Sequence, residues 1–311
     1  MSPTVIAGWR RVNRFRLLPW VLVLSVVAGC AAPAAIPGGA PFALLGDVPY
    51  SQAEANYLDG MINEMNRAPL AFVVHLGDIT SGDGPCSDPW LEERKKQFAR
   101  WRAPLVVLPG DNEWTDCHRT GFDPMERLQK WRSLFCDAVP AVPAVPAFRA
   151  ERQPGEYCEH LRWRHEGILF VALNVPGSNN NLGRTPAMDR EYEHRMLTVQ
   201  AWIDTSIALA KEENARAVVL LMQANPMFQR GAGDRPRDGY SALRRRLAAH
   251  ALDLKDRLVI VHGDTHVFRD DRPLPGLRRI EVHGSPFLRW LRVFRSDLAQ
   301  GKESLVVENG R

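Results

Sequence analysis

Four short apolar runs that each end in Gly-Asp constrain this chain more than any other feature of its sequence. The runs read FALLGD, FVVHLGD, LVVLPGD and LVIVHGD, and they end at Asp47, Asp78, Asp111 and Asp264. An apolar, β-branched run of this length that stops at Gly predicts a buried strand. In open α/β sheets, ligands bind outside the carboxyl ends of the strands. Four carboxylates at that edge would repel one another unless cations held them, so the runs predict a metal site.

The elements between these runs predict an α/β domain. Apolar spacing predicts helices over 51–66, 90–101 and 123–135, the last with Asp123 as N-cap and Pro124 at its first position. Two runs joined by Glu-Gly, 157–165 and 168–173, predict a hairpin. Further predicted elements are the helices 189–210 and 240–251 and the strands 217–222, 258–261, 278–282, 287–294 and 304–307. Because strand and helix alternate, we expect parallel pairing, and without an internal linker residues 42–311 form one domain.

Residues 1–29 have the pattern of an export signal. An apolar run, Leu17–Ala28, follows four basic residues, Arg10, Arg11, Arg14 and Arg16. The run is too short for a helix that crosses a hydrocarbon layer of roughly 30 Å. Val27-Ala28-Gly29-Cys30 resembles the lipobox of bacterial lipoproteins, which implies acylation at Cys30. The alternatives are a plain signal or a short anchor with an incidental cysteine, and Arg10-Arg11 faintly resembles a twin-arginine signal.

Residues 30–41, rich in small residues, Pro and Gly, are expected to form a tether. The chain has 40 basic and 36 acidic residues, and four of the basic ones lie in 1–29, so 36 of each remain after cleavage. This balance gives no reason to expect a nucleic-acid partner. We expect an exported lipoprotein of the cell envelope, periplasmic or on the surface, held to the membrane through acylated Cys30.

Four cysteines remain beyond Cys30, and an even number in an exported chain favours disulfides. Three pairings are possible. We favour Cys86 with Cys117, because each follows a strand-ending Asp on strands that should be neighbours. Cys136 and Cys158 would then close the loop that contains the Pro-punctuated segment 138–147. Thiolate metal ligands are the alternative, but the chain has no CxxC spacing to support them.

The motifs GD, GD, GDNE, QANP and GDTH, in this order, resemble those of the calcineurin-like metallophosphoesterases, which include purple acid phosphatases. Asp47, Asp78 and Asp111 are spaced by about one βα unit each, and the resemblance covers most of residues 42–290. It implies a four-layer α/β/β/α sandwich, in which helices flank two central sheets. It also implies two divalent ions, Mn, Mg, Fe or Zn, and a metal-bridging hydroxide that attacks a phosphoric ester.

Carried over by motif position, the resemblance implies as metal ligands Asp47, Asp78, Asp111, Asn112, Gln223, Asp264 and His266. The chain departs from the family at six positions. Pro49 replaces a ligand His, and Ser81 stands where some members have a ligand Tyr. At the other four positions, Asp111 replaces a metal-binding Asn, and Asn112 replaces the His that protonates the leaving group. Gln223 and Asp264 each replace a ligand His. Alternatively, the Asn has shifted by one place and still binds through its carbonyl. Carboxylates and amides favour harder ions such as Mg²⁺, Ca²⁺ or Mn²⁺ over Zn²⁺.

The missing acid bears on the function. A general acid contributes about 10²–10⁴-fold, and the candidates for that position or role are Asn112, His118 and His283, although a leaving group of low pKa needs none. We therefore expect a metal-dependent phosphoric-ester hydrolase that acts on a phosphorylated small molecule or envelope component. The alternative is a catalytically inactive protein of the same fold that binds a phosphorylated or acidic envelope ligand. A single ion would fit either hypothesis.

Two polar stretches have open interpretations. The run Asn179-Asn180-Asn181, between Gly177 and Gly183, is predicted as a loop that faces substrate or is only exposed. The arginines at 235, 237 and 244–246 either attract a phosphate or form a solvated face.

Overall fold

A computed structural model of the chain describes residues 39–136, 149–230, 237–296 and 305–310, together with Met1 and Gly8. The predicted signal, the lipobox with Cys30 and most of the tether lie outside the described residues. The chain divides into two units, Met1–Ala35 and Ile36–Arg311, and every element given below belongs to the second. In the described part of the chain, no helix has both the length and the hydropathy needed to cross a bilayer.

The described residues form two sheets and five regular helices. In chain order the strands are β1 (Phe42–Leu45), β2 (Val73–His75), β3 (Leu105–Val107), β4 (Ala150–Arg152), β5 (Leu161–His165), β6 (Ile168–Ala172), β7 (Ala217–Leu221), β8 (Leu258–His262), β9 (Arg269–Leu274), β10 (Leu277–Glu281), β11 (Leu291–Arg295) and β12 (Leu305–Asn309). The helices are α1 (Gln52–Met65), α2 (Asp88–Phe98), α3 (Pro124–Phe135), α4 (Pro186–Glu212) and α5 (Ser241–Leu254). A 3₁₀ segment covers Thr115–Thr120.

The strand order places the carboxyl ends of the parallel strands together. The first sheet has the order β12-β11-β1-β2-β3, with β1, β2 and β3 parallel. The second has the order β4-β5-β6-β7-β8-β10-β9, with β6, β7, β8 and β10 parallel. The predicted parallel pairing is thus confirmed.

Side-chain alternation explains the layering. In β1, Phe42 and Leu44 pack between the two sheets, whereas Ala43 and Leu45 pack against α1, α2 and α3. The second sheet packs its other face on α4 and α5, through residues such as Trp202 and Leu247. The layers are therefore α/β/β/α, as predicted.

The structure contains the helix cap and the disulfides that the sequence predicts. Asp123 caps α3, because its carboxylate accepts from the backbone N–H groups of Met125 and Glu126, and Pro124 occupies the first turn as predicted. The predicted disulfides are also confirmed: Cys86 is bonded to Cys117 and Cys136 to Cys158. The first bond joins the loops that follow β2 and β3.

Some element boundaries were predicted wrongly. Residues 157–160 form turns rather than strand, and the strand predicted from 287 begins at Leu291. β9 was not predicted, because its sequence RDDRPL is polar and it lies at the edge of its sheet, where neither face needs an apolar run.

Candidate functional site

The four Gly-Asp motifs come together at the carboxyl ends of the parallel strands. Asp47, Asp78 and Asp111 are buried and Asp264 is half-buried. Asp47, Asp78 and Asp264 have the left-handed backbone conformation, with φ of 52°, 57° and 81°. This region is uncommon for residues other than Gly, and clusters of such residues mark functional sites. These three aspartates therefore reach the strand ends in a backbone conformation that is unfavourable for a residue with a side chain.

The glycines of two motifs make room for a carboxylate from another motif. A Cβ on Gly110 would lie 2.0 Å from Asp78 Oδ1, and a Cβ on Gly263 would lie 2.2 Å from Asp47 Oδ2. Neither distance is possible between nonbonded atoms, so the glycines at these two positions reflect close approach between strand ends. Sequence alone could not distinguish this reason from ordinary turn preference.

Glu113, the acid of GDNE, connects its own loop to the Gly-Asp motif that ends at Asp78 through hydrogen bonds. Its buried carboxylate accepts from the backbone N–H groups of Gly110 at 2.6 Å, Asp78 at 3.2 Å and Ile79 at 3.2 Å. Burial raises the pKa of Glu113 to about 7, against the effect of these hydrogen bonds. Glu113 therefore positions the loop that contains Asp111 and Asn112 against Asp78.

Asp78 is the centre of the cluster. Its Oδ1 accepts from the Asn112 backbone N–H at 3.1 Å, and its Oδ2 accepts from Gln223 Nε2 at 3.1 Å. Asp47 accepts from the Asp264 backbone N–H at 3.0 and 3.2 Å, and Asp264 in turn accepts from the Asn225 N–H at 2.8 Å. The structure thus brings Asp47, Asp78, Asn112, Gln223 and Asp264 to one place, as their motif positions imply.

Tyr50 is a site residue that sequence reasoning missed. Its hydroxyl donates to Asp78 Oδ2 at 3.1 Å, lies 3.0 Å from His266 Nε2 and accepts from Asn112 Nδ2 at 3.1 Å. In some members of the family that the sequence resembles, a ligand tyrosine stands three residues after the second aspartate, where this chain has Ser81. The available signal was a tyrosine three residues after the first aspartate, in Asp47-Val48-Pro49-Tyr50.

Burial, with a smaller contribution from mutual repulsion, raises the pKa values of the clustered carboxyl groups. Burial, together with the charge of Asp116, raises the pKa of Asp111 to about 6. Burial and the charge of Asp111 raise the pKa of Asp264 to about 8. The pKa values of Asp47 and Asp78 are also raised, again mainly by burial. A bound cation would remove this electrostatic cost, because it would favour the ionised form of each carboxyl group.

The donor chemistry fits a hard divalent ion, and Tyr50 adds a hydroxyl oxygen to the possible ligands. Neighbouring ligands on an octahedral ion with bonds of about 2.1 Å lie about 3.0 Å apart. The hydroxyl of Tyr50 has this spacing to both Asp78 and His266. Among the His, Cys, Asp and Glu residues of the cluster, no three have ligand atoms mutually within 4.8 Å, as far as the described residues go. The group that does, Cys136, Cys158 and Glu159, is occupied by a disulfide.

The residues predicted to supply an acid occupy three different environments. Asn112 contacts Tyr50 within the cluster. His118 is exposed beside the cluster, with Nδ1 2.9 Å from the Thr115 carbonyl oxygen. His283 stacks on Phe268, and its Nε2 lies 2.8 Å from Asn309 Oδ1. His283 therefore has partners away from the carboxylates, and an acid role for His118 or His283 stays a prediction.

Comparisons with known proteins bear on the fold. No family model matches the sequence, and no curated protein matches it. Among solved structures, a dimetal phosphatase from Danio rerio aligns with a TM-score of 0.53 and 13% identity, over 88% of this chain and 99% of that one. The phosphopantetheinyl hydrolase PptH from Mycobacterium tuberculosis aligns with a TM-score of 0.47 and 13% identity, over 80% and 91% of the two chains.

A third similar structure is the purple acid phosphatase PPD1 from yellow lupin seeds. It aligns with a TM-score of 0.47 and 13% identity, over 88% of this chain and 52% of that one. The likeness to the Danio rerio protein extends over nearly the whole of both chains. This chain therefore has the fold of the calcineurin-like metallophosphoesterases, as the order of its motifs predicted.

Proposed function

We propose that this protein is a metal-dependent hydrolase of phosphoric esters. The observation that carries the proposal is the convergence of the four strand-end aspartates at one place, with Asp47, Asp78 and Asp111 buried. Burying like charges without a cation is costly. Metal binding is a physical reason for a chain to retain them.

The residues that would hold the ions are Asp47, Tyr50, Asp78, Asp111, Asn112, Gln223, Asp264 and His266. Bound divalent ions supply Lewis acidity, which activates water as the nucleophile and offsets charge on the phosphoryl group. The protein contributes orientation: Glu113 holds the loop of Asn112, and Gln223 donates to Asp78. The amide of Asn112 can offer a hydrogen bond to a phosphoryl oxygen.

The composition of the cluster limits the range of substrates. Asn112, in the position of the family's acid, has an amide that cannot protonate a leaving group. An ester with a leaving group of low pKa does not require that proton. We therefore expect aryl phosphates to be hydrolysed faster than alkyl phosphates. The ratio of the two rates should be larger than for an enzyme of this fold that has a general acid.

The test is the turnover of an aryl phosphate by Asp78→Asn. Because Asp78 contacts Tyr50, Asn112 and Gln223, we expect kcat to fall at least about 100-fold, the upper range for groups that orient metal ligands. Asp83→Asn is the matched control, since Asp83 is exposed five residues further on. A chelator should abolish wild-type turnover and Mn²⁺ or Mg²⁺ should restore it. Unchanged turnover in Asp78→Asn would contradict the proposal.

We also propose that the enzyme works in the cell envelope, attached through acylated Cys30, on a phosphorylated small molecule or envelope component. The two disulfides support this location, because such bonds persist in oxidising compartments. In the producing cell, Cys30→Ala should release the protein from the membrane fraction and abolish incorporation of labelled fatty acid. Retention of the label in that variant would exclude acylation at Cys30.

A second candidate function is binding without turnover. The observation that favours it is the small number of histidines. Among the described residues that would hold the ions, His266 is the single histidine. In that case the fold would bind a phosphorylated or acidic envelope ligand. Aryl phosphate turnover that a chelator abolishes would exclude this alternative.

A further inference from the structure

A basic pocket adjoins the carboxylate cluster. It is a cavity of about 420 Å³, and its polar lining includes His118, Arg119, Ser178, Asn179, Arg184 and Arg237. The hydroxyl of Ser178 lies 2.7 Å from Asp111 Oδ2, so one residue belongs to both the pocket and the cluster.

The guanidinium groups of the pocket exceed the carboxylates that pair with them. Asp116 accepts from Arg184 at 2.9 Å and from Arg119 at 2.8 Å, so one buried carboxylate serves two cations. Arg237 pairs with Asp189 and has a side chain that is 58% exposed. Among these five charged groups the balance is positive by one. An arginine with free donors matches the oxygens of phosphoryl and carboxylate groups.

The wall that presents Ser178 is built rigidly. Four successive residues that are not glycine, Ser178 to Asn181, have left-handed φ between 48° and 66°. Asparagine tolerates this conformation best among side chains other than glycine, which accounts for the Asn-Asn-Asn run. A strained turn persists only where the surroundings over-determine it.

Those surroundings are hydrogen bonds from neighbouring segments. Asn179 Oδ1 accepts from the Gly239 N–H at 3.0 Å, and Asn180 Oδ1 accepts from Arg195 Nη1 at 2.6 Å. Asn181 donates to Glu191 at 2.8 Å, and both Asn180 and Asn181 are fully buried. The run Asn179-Asn180-Asn181, predicted as a polar loop, is therefore a buried turn that hydrogen bonds to other segments hold in place. It holds Ser178 between the pocket and Asp111.

We propose that the basic pocket binds a second anionic group of the substrate. The substrate class is then a phosphoric ester that carries another phosphoryl or carboxylate group close to the scissile one. The inference rests on the proposed function for the identity of the group held at the cluster. It adds what the neighbouring pocket recognises.

The experiment compares three probes on the full chain purified in detergent with Mn²⁺. Methylphosphonate carries one anionic group, phosphonoacetate adds a carboxylate, and methylenebisphosphonate adds a second phosphonate. Titration calorimetry should show at least about tenfold tighter binding of one or both doubly anionic probes, the value of one charge-assisted hydrogen bond. The tighter of the two identifies the second group as carboxylate or phosphoryl.

Two variants locate the effect. Arg237→Gln removes an exposed pocket cation and should reduce the affinity for the preferred probe about tenfold, with methylphosphonate affinity changed less than about twofold. Arg245→Gln is the matched control, because Arg245 is exposed on α5 and is not part of the pocket lining. It should change neither affinity. Equal loss in both variants would mean general electrostatic attraction and would overturn the inference.

Failure of this inference differs from failure of the proposed function. Chelator-sensitive turnover without a preference for doubly anionic probes would overturn the inference alone. A clear preference without turnover on any ester would leave the pocket assignment standing and would favour the binding protein over the hydrolase.

Discussion

The hydroxyl of Tyr50 should be needed for both the stability of the metal-free site and its affinity for cations. In Tyr50→Phe the ring remains, and only the oxygen that contacts Asp78, Asn112 and His266 is lost. Burial and the charge of Asp78 raise the pKa of Tyr50, so the hydroxyl keeps its proton and donates it to Asp78. The change therefore removes a charge-assisted hydrogen bond and leaves the Asn112 amide without its acceptor.

The magnitude follows from those contacts. A buried group left unsatisfied costs about 1–3 kcal/mol, so in a chelating buffer the free energy of unfolding should fall by that amount. Loss of a ligand or of a group that orients ligands reduces metal affinity about 10–100-fold. The variant should accordingly bind Mn²⁺ with a Kd raised about 10–100-fold.

The first assay is urea unfolding in a buffer that contains a chelator. The second is calorimetric titration with Mn²⁺ of protein from which the metal and then the chelator have been removed. Tyr57→Phe is the matched control, since Tyr57 is 57% exposed on α1 and removal of its hydroxyl should change neither quantity. If Tyr50→Phe bound Mn²⁺ within about twofold of wild type and unfolded within about 0.5 kcal/mol of it, the assignment of Tyr50 to the site would be refuted.

Three further predictions concern the scaffold. Gly110→Ala should destabilise the protein by about 1–3 kcal/mol in urea unfolding, because the new Cβ meets Asp78 at 2.0 Å; an unchanged midpoint would show that the loop moves freely. Replacing Cys86 and Cys117 by Ser should cost about 3–4 kcal/mol of unfolding free energy, from the loop of 31 residues that the bond closes, and a loss below 1 kcal/mol, as for a typical surface change, would argue against it. Burial lowers the pKa of His160 to about 4, so the unfolded state takes up a proton first as the pH falls, and stability is lost between about pH 6.5 and 4, at up to about 1.4 kcal/mol per pH unit. His160→Gln should flatten that slope in thermal unfolding, whereas an identical slope would contradict the assignment.

The features that sequence predicted well depend on contacts close along the chain. Asp123 caps α3 through N–H groups two and three residues away, and the βα rhythm follows from local periodicity. The pairing of Cys86 with Cys117 was predictable because loops after adjacent parallel strands must lie side by side. Strands at the edge of a sheet were harder to predict: β9 has no apolar pattern, since an edge strand can keep both faces polar.

By itself, the sequence determined the order of the layers, the strand-end aspartates and their assembly at one edge of the sheets. What only the tertiary structure decided is which other side chains reach that edge. Tyr50 meets His266 across 216 residues of chain, and Ser178 meets Asp111 across 67. Such contacts depend on where loops from different strands end in space. No local propensity encodes that position, because it is set by the packing of two sheets and by a strained turn that distant hydrogen bonds hold in place.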